Sequence, residues 1–322
     1  MASWDLTISK ELSMVSDFIR ESIHSDEELL TEIADYVIGA GGKRIRPTVA
    51  ILSFYAVGGK NVEETVKIAA ALELIHTATL LHDDINDGSS RRRGKLAAYK
   101  KYGVRSALVT GDFLFTQAFS IGSKFEPAIV EITAEACSRL AEGEIRQQIR
   151  ARDVAVTEKD YIEITTRKTA WPIAAGAKIG AILGGGNLEE VLAVFEYGTE
   201  LGIAFQIVDD VLDVVGNEDV LGKPTGTDVR EGNITLLIID ALQRGSSEDR
   251  KALADIVKKE GQTSEEVHRA LDIIVRSGAV DIARRRAAEF GERAKAKLGP
   301  LRPGRFKLEL LRLVDLILKR ES

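Results

Sequence analysis

The chain has 322 residues, 44% of them apolar, enough to bury a sizeable core as one large domain or two ordinary ones. Its formal charge of −6 argues against a nucleic-acid partner, because a phosphate backbone recruits a broad basic surface. A single cysteine, Cys137, excludes an intramolecular disulfide framework and fits a reducing cytoplasm.

The amino-terminal stretch Met1 to Lys10 contains Asp5 and lacks a basic segment followed by an apolar one, so no signal peptide is expected. Apolar residues then recur at spacings of three and four through Ile33 to Val37, Val66 to Leu81, Val191 to Val215 and Leu308 to Leu318, which predicts helices. The longest apolar candidates, Ile68 to Leu81 and Ala174 to Gly186, carry polar breaks and fall short of the roughly 18 to 20 residues of a spanning helix, so the protein is not expected to be integral to a membrane. Breaks fall at Gly39 to Gly42, Gly58 to Asn61, Gly88 to Gly94, Gly184 to Asn187, Gly216 to Gly226, Gly245 to Asp249 and Gly299 to Gly304. None has the length of a flexible linker, and the β-branched run Ile234 to Ile239 is placed in a helix. The reading is all-α, with residues 1–322 as a single domain.

Two segments stand out on this apolar background. In His76 to Asp87, a turn of 100° per residue puts His76, Leu80, Asp83 and Asp87 on one face, with Asp84 beside them. Phe205 to Asp213 repeats the arrangement with Asp209, Asp210 and Asp213. Like charges one turn apart destabilise an isolated helix by a few tenths of a kcal/mol per pair, and burial adds to that unless cations intervene. Mg2+ suits such faces, since it accepts one or two carboxylates, keeps waters and completes its shell with phosphate oxygens. One such cluster alone also fits a solvated helix end or N-cap; two in one chain point to a diphosphate ligand. Basic runs stand near the first: Gly41-Gly42-Lys43-Arg44-Ile45-Arg46-Pro47 and Arg91-Arg92-Arg93-Gly94. Arg284 to Arg286, lacking that context, reads as a solvated helix face, and Trp171 as packing.

Taken in order, GGKRIRP, LLHDDIND followed by RRRG, GDFLF, RKTA, FQIVDDVLD and LGKPTGTDVREGN resemble the trans-isoprenyl diphosphate synthase family over Gly41 to Leu237. The resemblance implies a helical bundle around a deep central cavity, a type I isoprenoid synthase fold, usually as a homodimer. It implies that Asp83, Asp84, Asp87, Asp209, Asp210 and Asp213 form the metal site, with the allylic diphosphate between the two faces. Arg92, Lys168 and Lys223 would hold that diphosphate, and Lys43, Arg46, His76 and Arg93 would hold isopentenyl diphosphate. Thr169 and Gln206 would steady the allylic cation, with Lys168 beside them. Asn233 departs from the lysine frequent at its position and is given no diphosphate contact.

The activity implied is head-to-tail, all-trans condensation of isopentenyl diphosphate with an allylic diphosphate. Ala78 and Thr79 lie about 6 to 7 Å up the helix from Asp83, where members with short products often carry aromatics. Their small size predicts a pentaprenyl-to-octaprenyl product. A farnesyl or geranylgeranyl synthase is the alternative if Phe54, Phe115 or Phe119 closes the tunnel sooner. A terpene cyclase would not need the isopentenyl diphosphate residues, and a non-catalytic partner subunit would be expected to lose one acidic face.

Overall fold

A computed structural model of the protein describes residues 5–216 and 225–320, so Lys223 and most of the Gly216 to Gly226 break lie outside the described residues. In chain order the helices begin with α1 (Asp5–Ser22), α2 (Glu28–Ile38), α3 (Ile45–Ala56) and α4 (Glu63–Asn86). Two short strands, β1 (Arg91–Arg92) and β2 (Lys95–Leu96), precede α5 (Ala98–Tyr102), α6 (Val104–Gly122), α7 (Pro127–Ile149) and α8 (Glu158–Thr165). A π-helical turn, Thr166–Ala170, leads into α9 (Trp171–Leu183) and the long α10 (Leu188–Val215). Then follow α11 (Thr227–Glu231), α12 (Leu236–Arg244), α13 (Ser247–Lys258), α14 (Ser264–Arg276), α15 (Ala279–Lys297) and α16 (Arg305–Leu318). The all-α expectation holds; β1 and β2 form a small antiparallel hairpin, the only sheet among the described residues.

The described residues group into two compact units. The first takes the chain up to Cys137 with Pro172–Gly198 and Lys297–Leu313; the second takes Ser138–Trp171, Thr199–Ala296 and the residues from Val314 on.

In the first unit α4 is buried over most of its circumference, from Thr65 and Ile68 to Ala78 and Leu81. It lacks Gly and Pro, and Glu63 and Glu64 in its first turn oppose the positive end of its dipole. It stops at Asp87, where Gly88 takes φ +66, a conformation costly for other residues. α9 lies so close to α3 that a Cβ on Gly180 would sit 2.1 Å from the Ala50 carbonyl oxygen. Tyr197 is fully buried and donates its hydroxyl to the Leu310 carbonyl at 2.7 Å.

The core of the second unit is apolar side chains from α10, including Ile203, Ile207 and Val211, with Leu237, Leu253, Val257 and Ile274 from the helices that follow. Its peripheral helices start at built caps: Thr157 and Asp160 form a reciprocal capping box on α8, and Thr263 and Glu266 another on α14. α10 meets the residues before α9 at Gly202, where a Cβ would lie 2.5 Å from the Ala170 Cα. Arg284 and Arg285 are exposed, as a solvated face requires, and Arg286 pairs with Glu158 at 2.7 Å.

One expectation needs correcting. The most extended apolar helix is neither of the stretches picked out from the sequence but Leu188–Val215, whose most apolar window has mean hydropathy 1.4 and is 61% buried in the protein. Glu196 and Glu200 interrupt the helix, while apolar side chains such as Ile203, Ile207 and Val211 are buried in the core of the second unit.

The Gly180 contact sets a test of the packing. Gly180→Ala has no room without moving α3 backbone, so it should cost about 1–3 kcal/mol in urea unfolding despite the better helix propensity of alanine. An unchanged midpoint would mean that the helices do not approach this closely.

Candidate active site

In the first unit a cationic socket is built around His76. α3 is entered through Arg44, whose φ of +51 turns its side chain away from the helix, and Arg44 pairs at 3.2 Å with Glu73, a carboxylate buried in α4. The hairpin delivers the other cations. Its turn residues Arg93 and Gly94 have φ of +52 and +78, positive at both central positions as a tight type I′ connection requires. This geometry carries the Arg93 guanidinium onto the Gly41 carbonyl, and a Cβ on Gly42 would meet that guanidinium at 2.8 Å. A larger residue there would push the guanidinium aside.

Burial and the charges of Arg46, Arg93, Arg92 and Arg44 hold the His76 imidazole well below its usual range, so it is neutral. Burial likewise lowers Arg93, partly offset by Glu73. Of the residues expected to bind isopentenyl diphosphate, Arg46, His76 and Arg93 come together, while Lys43 is exposed in the loop before α3. Arg44 and Glu73 were missed as site residues. The signal was present: Arg44 is inside the basic motif, and Glu73 is a lone acid in an apolar run.

Asp84 faces inward from the end of α4. Arg92 grips it through Nε at 2.7 Å and a terminal nitrogen at 2.5 Å, yet burial still pushes its carboxyl up. Asp83 is half-buried and Asp87, the C-cap, is exposed. Ala78 is fully buried, and the Thr79 hydroxyl donates to the His76 carbonyl at 2.8 Å. Phe54 packs over Gly59 and against Tyr55; Phe115 and Phe119 stack at 6.3 Å on α6, with Phe119 55% exposed.

The second unit carries the other acidic segment on α10. Asp210 is 4% exposed and turned into the core, where it accepts the Tyr161 hydroxyl at 2.6 Å and the Gln206 amide at 2.8 Å. Burial, opposed by those bonds and supported by the like charges of Asp209 and Asp213, raises its carboxyl to about 7. Asp209 accepts from Arg320 at 2.7 Å, whose guanidinium lies 4.9 Å over the Phe205 ring and is lowered to about 10 by burial. Asp213 accepts the Asp228 backbone N–H at 3.1 Å.

Lys168 and Thr169 stand on the π-helical turn, an irregularity frequent at functional sites. Gly143 admits that turn: a Cβ there would lie 2.7 Å from the Lys168 nitrogen. Lys168 donates to Gln147 at 2.8 Å and pairs with Glu144 at 2.5 Å, while the Thr169 hydroxyl donates to Gln206 Oε1 at 2.8 Å. Trp171 lies under the Arg139 guanidinium at 4.8 Å, and the Asn233 amide donates to Glu231 at 2.7 Å. Tyr161 and Arg320 have no sequence signal of this kind; only folding brings them to the acids.

Among the described residues no group of three His, Cys, Asp or Glu side chains is arranged to hold a metal by itself. What the α10 acids offer is three carboxylates close together, where burial first and the like charges of Asp209 and Asp213 after it push Asp210 up. That donor set fits a hard cation that needs few protein oxygens and takes the rest from water and phosphate.

The His76 environment has a consequence for stability. Below about pH 6.5 the unfolded chain takes up a proton that the folded imidazole refuses, so stability falls as pH drops, by up to about 1.4 kcal/mol per unit. Urea unfolding from pH 7.5 to 5 should show this extra loss in the wild type relative to His76→Gln; parallel curves would contradict it.

Residues 27–274 match the family model described as polyprenyl synthetase. The chain is 39% identical over 321 residues to a short chain isoprenyl diphosphate synthase of Methanothermobacter thermautotrophicus, covering 98% of each. It is 35% identical over 317 residues to the octaprenyl diphosphate synthase of Escherichia coli, covering 97% of each. Among solved structures, a polyprenyl synthase from Caulobacter crescentus, complexed with calcium and isoprenyl diphosphate, superposes with TM-score 0.96 at 35% identity over 99% of this chain and 97% of that one.

Proposed function

We propose that this chain, which belongs to the polyprenyl synthetase family and is a prenyl-transferring enzyme, condenses isopentenyl diphosphate with an allylic diphosphate to extend an all-trans polyprenyl diphosphate. The observation that carries this reading is the socket of Arg44, Arg46, Arg92 and Arg93 around a neutral His76. Guanidinium pairs bind phosphate oxygens in bidentate fashion, and a neutral imidazole among them donates one further hydrogen bond without adding charge that would trap the ligand. Isopentenyl diphosphate is assigned to Arg46, His76 and Arg93 of this socket together with Lys43.

The allylic diphosphate is assigned to Arg92, Lys168 and Lys223, with Mg2+ held by carboxylates among Asp83, Asp84, Asp87, Asp209, Asp210 and Asp213. When bound, the metal neutralises charge on the departing diphosphate and so favours ionisation of the allylic carbon–oxygen bond. Lys168, held by Gln147 and Glu144, keeps a cation at the leaving group. The Thr169 hydroxyl and Gln206 amide oxygen, already joined, place partial negative charge for the allylic cation. The isopentenyl double bond then attacks, and released diphosphate takes the proton lost from carbon, which is consistent with His76 being the one imidazole in the socket and too weak a base for the task.

The proposed product is pentaprenyl to octaprenyl diphosphate. Its support is the small, fully buried Ala78, with the Thr79 hydroxyl satisfied by its own helix and so free of any polar demand on a prenyl chain. The whole chain is proposed to work as one catalytic domain, as a homodimer in the cytoplasm. Val104, Leu108 and Phe119 are 50%, 46% and 55% exposed on α6, apolar surface that a second copy would cover. The only thiol, Cys137, is pushed up by burial and is inert at neutral pH.

Incubation with Mg2+, isopentenyl diphosphate and, separately, dimethylallyl, geranyl, farnesyl and geranylgeranyl diphosphates should give chelator-sensitive products longer than geranylgeranyl by mass spectrometry. Products that stop there would make it a shorter-chain synthase, cyclic hydrocarbons a cyclase, and no turnover a non-catalytic subunit. Leu108→Lys should shift the mass seen by light scattering from dimer to monomer; an unchanged mass would remove α6 from the interface.

A further inference from the structure

The three acids of α10 are not equivalent. At 100° per residue Asp209 and Asp213 share a face and Asp210 lies a quarter-turn away. Asp210 has both carboxylate oxygens taken by side chains, Oδ2 by the Tyr161 hydroxyl at 2.6 Å and Oδ1 by the Gln206 amide at 2.8 Å. Tyr161 comes from α8, is 5% exposed and belongs to the apolar core of this unit. The bonds continue: Gln206 Oε1 accepts the Thr169 hydroxyl at 2.8 Å, and Thr169 follows Lys168 on the π-helical turn. A chain of hydrogen bonds thus runs from α8 through the middle acid of α10 to the turn that carries the proposed leaving-group lysine.

A helix packed by Ile203, Ile207 and Val211 alone could rotate by several degrees at little cost, since apolar contact is non-directional. A buried carboxylate clamped by two donors resists that rotation, because a donor or acceptor left unpaired there costs about 1–3 kcal/mol. We propose that Tyr161 is a positioning residue for prenyl transfer: by holding Asp210 as an anchor rather than a metal ligand, it sets the rotation of α10 and thereby where the partly exposed Asp209 presents its carboxylate. The inference rests on the proposed function and goes beyond it in separating Asp210, the anchor, from Asp209, the acid it positions. Asp213, 2% exposed, accepts the Asp228 backbone N–H one turn further along the helix, and Arg320 donates to Asp209.

The test is Tyr161→Phe, which keeps the ring and removes only the hydroxyl, beside Asp210→Asn and the double variant. Mn2+ binding is read by electron paramagnetic resonance on the whole protein without substrate, and kcat and KM for the allylic substrate are read against Mg2+ concentration. Expected are a fivefold or greater weakening of Mn2+ binding in Tyr161→Phe, and a fall in kcat with a rise in the Mg2+ needed for half-maximal rate. The double variant should be no worse than Asp210→Asn alone, since both remove one clamp. Wild-type Mn2+ affinity in Tyr161→Phe overturns the inference, as does a loss of thermal stability with binding intact, the mark of a purely structural tyrosine. Abolished binding in Asp210→Asn with Tyr161→Phe unaffected would make Asp210 a ligand. The outcomes separate from those of the function itself: an inactive wild type sinks the proposed reaction, whereas the metal titration judges Tyr161 with or without turnover.

Discussion

Concentrating like charge inside an apolar helical frame is the constraint on which the rest of this structure depends. A carboxylate or guanidinium that leaves water loses solvation that one partner rarely restores, so each needs a partner fixed by another part of the fold. Glu73 answers Arg44, Asp84 answers Arg92, Tyr161 and Gln206 answer Asp210, and Glu144 answers Lys168. Most of these pairs join residues far apart in sequence. The partner is therefore part of the tertiary structure, and the helices are held in register by the chemistry they present.

The balance in each unit is deliberately incomplete. Around His76 burial, reinforced by the charges of Arg46, Arg93, Arg92 and Arg44, keeps the imidazole neutral. On α10 the acids push one another toward protonation, even with Tyr161 and Gln206 donating to Asp210. Residual charge of this kind is costly to an isolated protein and is relieved by a ligand of opposite sign, which is why it reads as a binding site rather than as a stabilising network.

How far the sequence revealed this follows from which forces act locally. Helical periodicity, breaks at Gly39 to Gly42 and Gly88 to Gly94, and the ends of α4 are set by neighbouring residues, and they were legible. So were the acidic faces and the basic runs, because one helix turn or one loop holds each. The direction of a side chain was not. Arg93 reaches Gly41 because its backbone turns through positive φ at a hairpin, and that hairpin has only two residues in each strand. Asp210 differs from Asp209 through a tyrosine 49 positions away, and Arg320 meets Asp209 across 111. Periodicity marked the long helix from Val191 to Val215, but acids within it, Glu196 and Glu200 among them, kept it from standing out as an apolar stretch.

Chain length is a different kind of problem, because it is set by so few atoms. Two relatives at 39% and 35% identity, each covered almost end to end, carry names for short-chain and for octaprenyl products, so the shared frame does not encode the length. It must lie in side chains that can change without disturbing the charge balance described above. Ala78 meets that condition: it lies two residues beyond His76, is fully buried, and makes no polar contact, so its size is set by packing alone. Thr79 meets it as well, since its hydroxyl is paid back by the His76 carbonyl. Under the proposed function, a change of size at such residues alters product length while the polar contacts around His76 stay as they are.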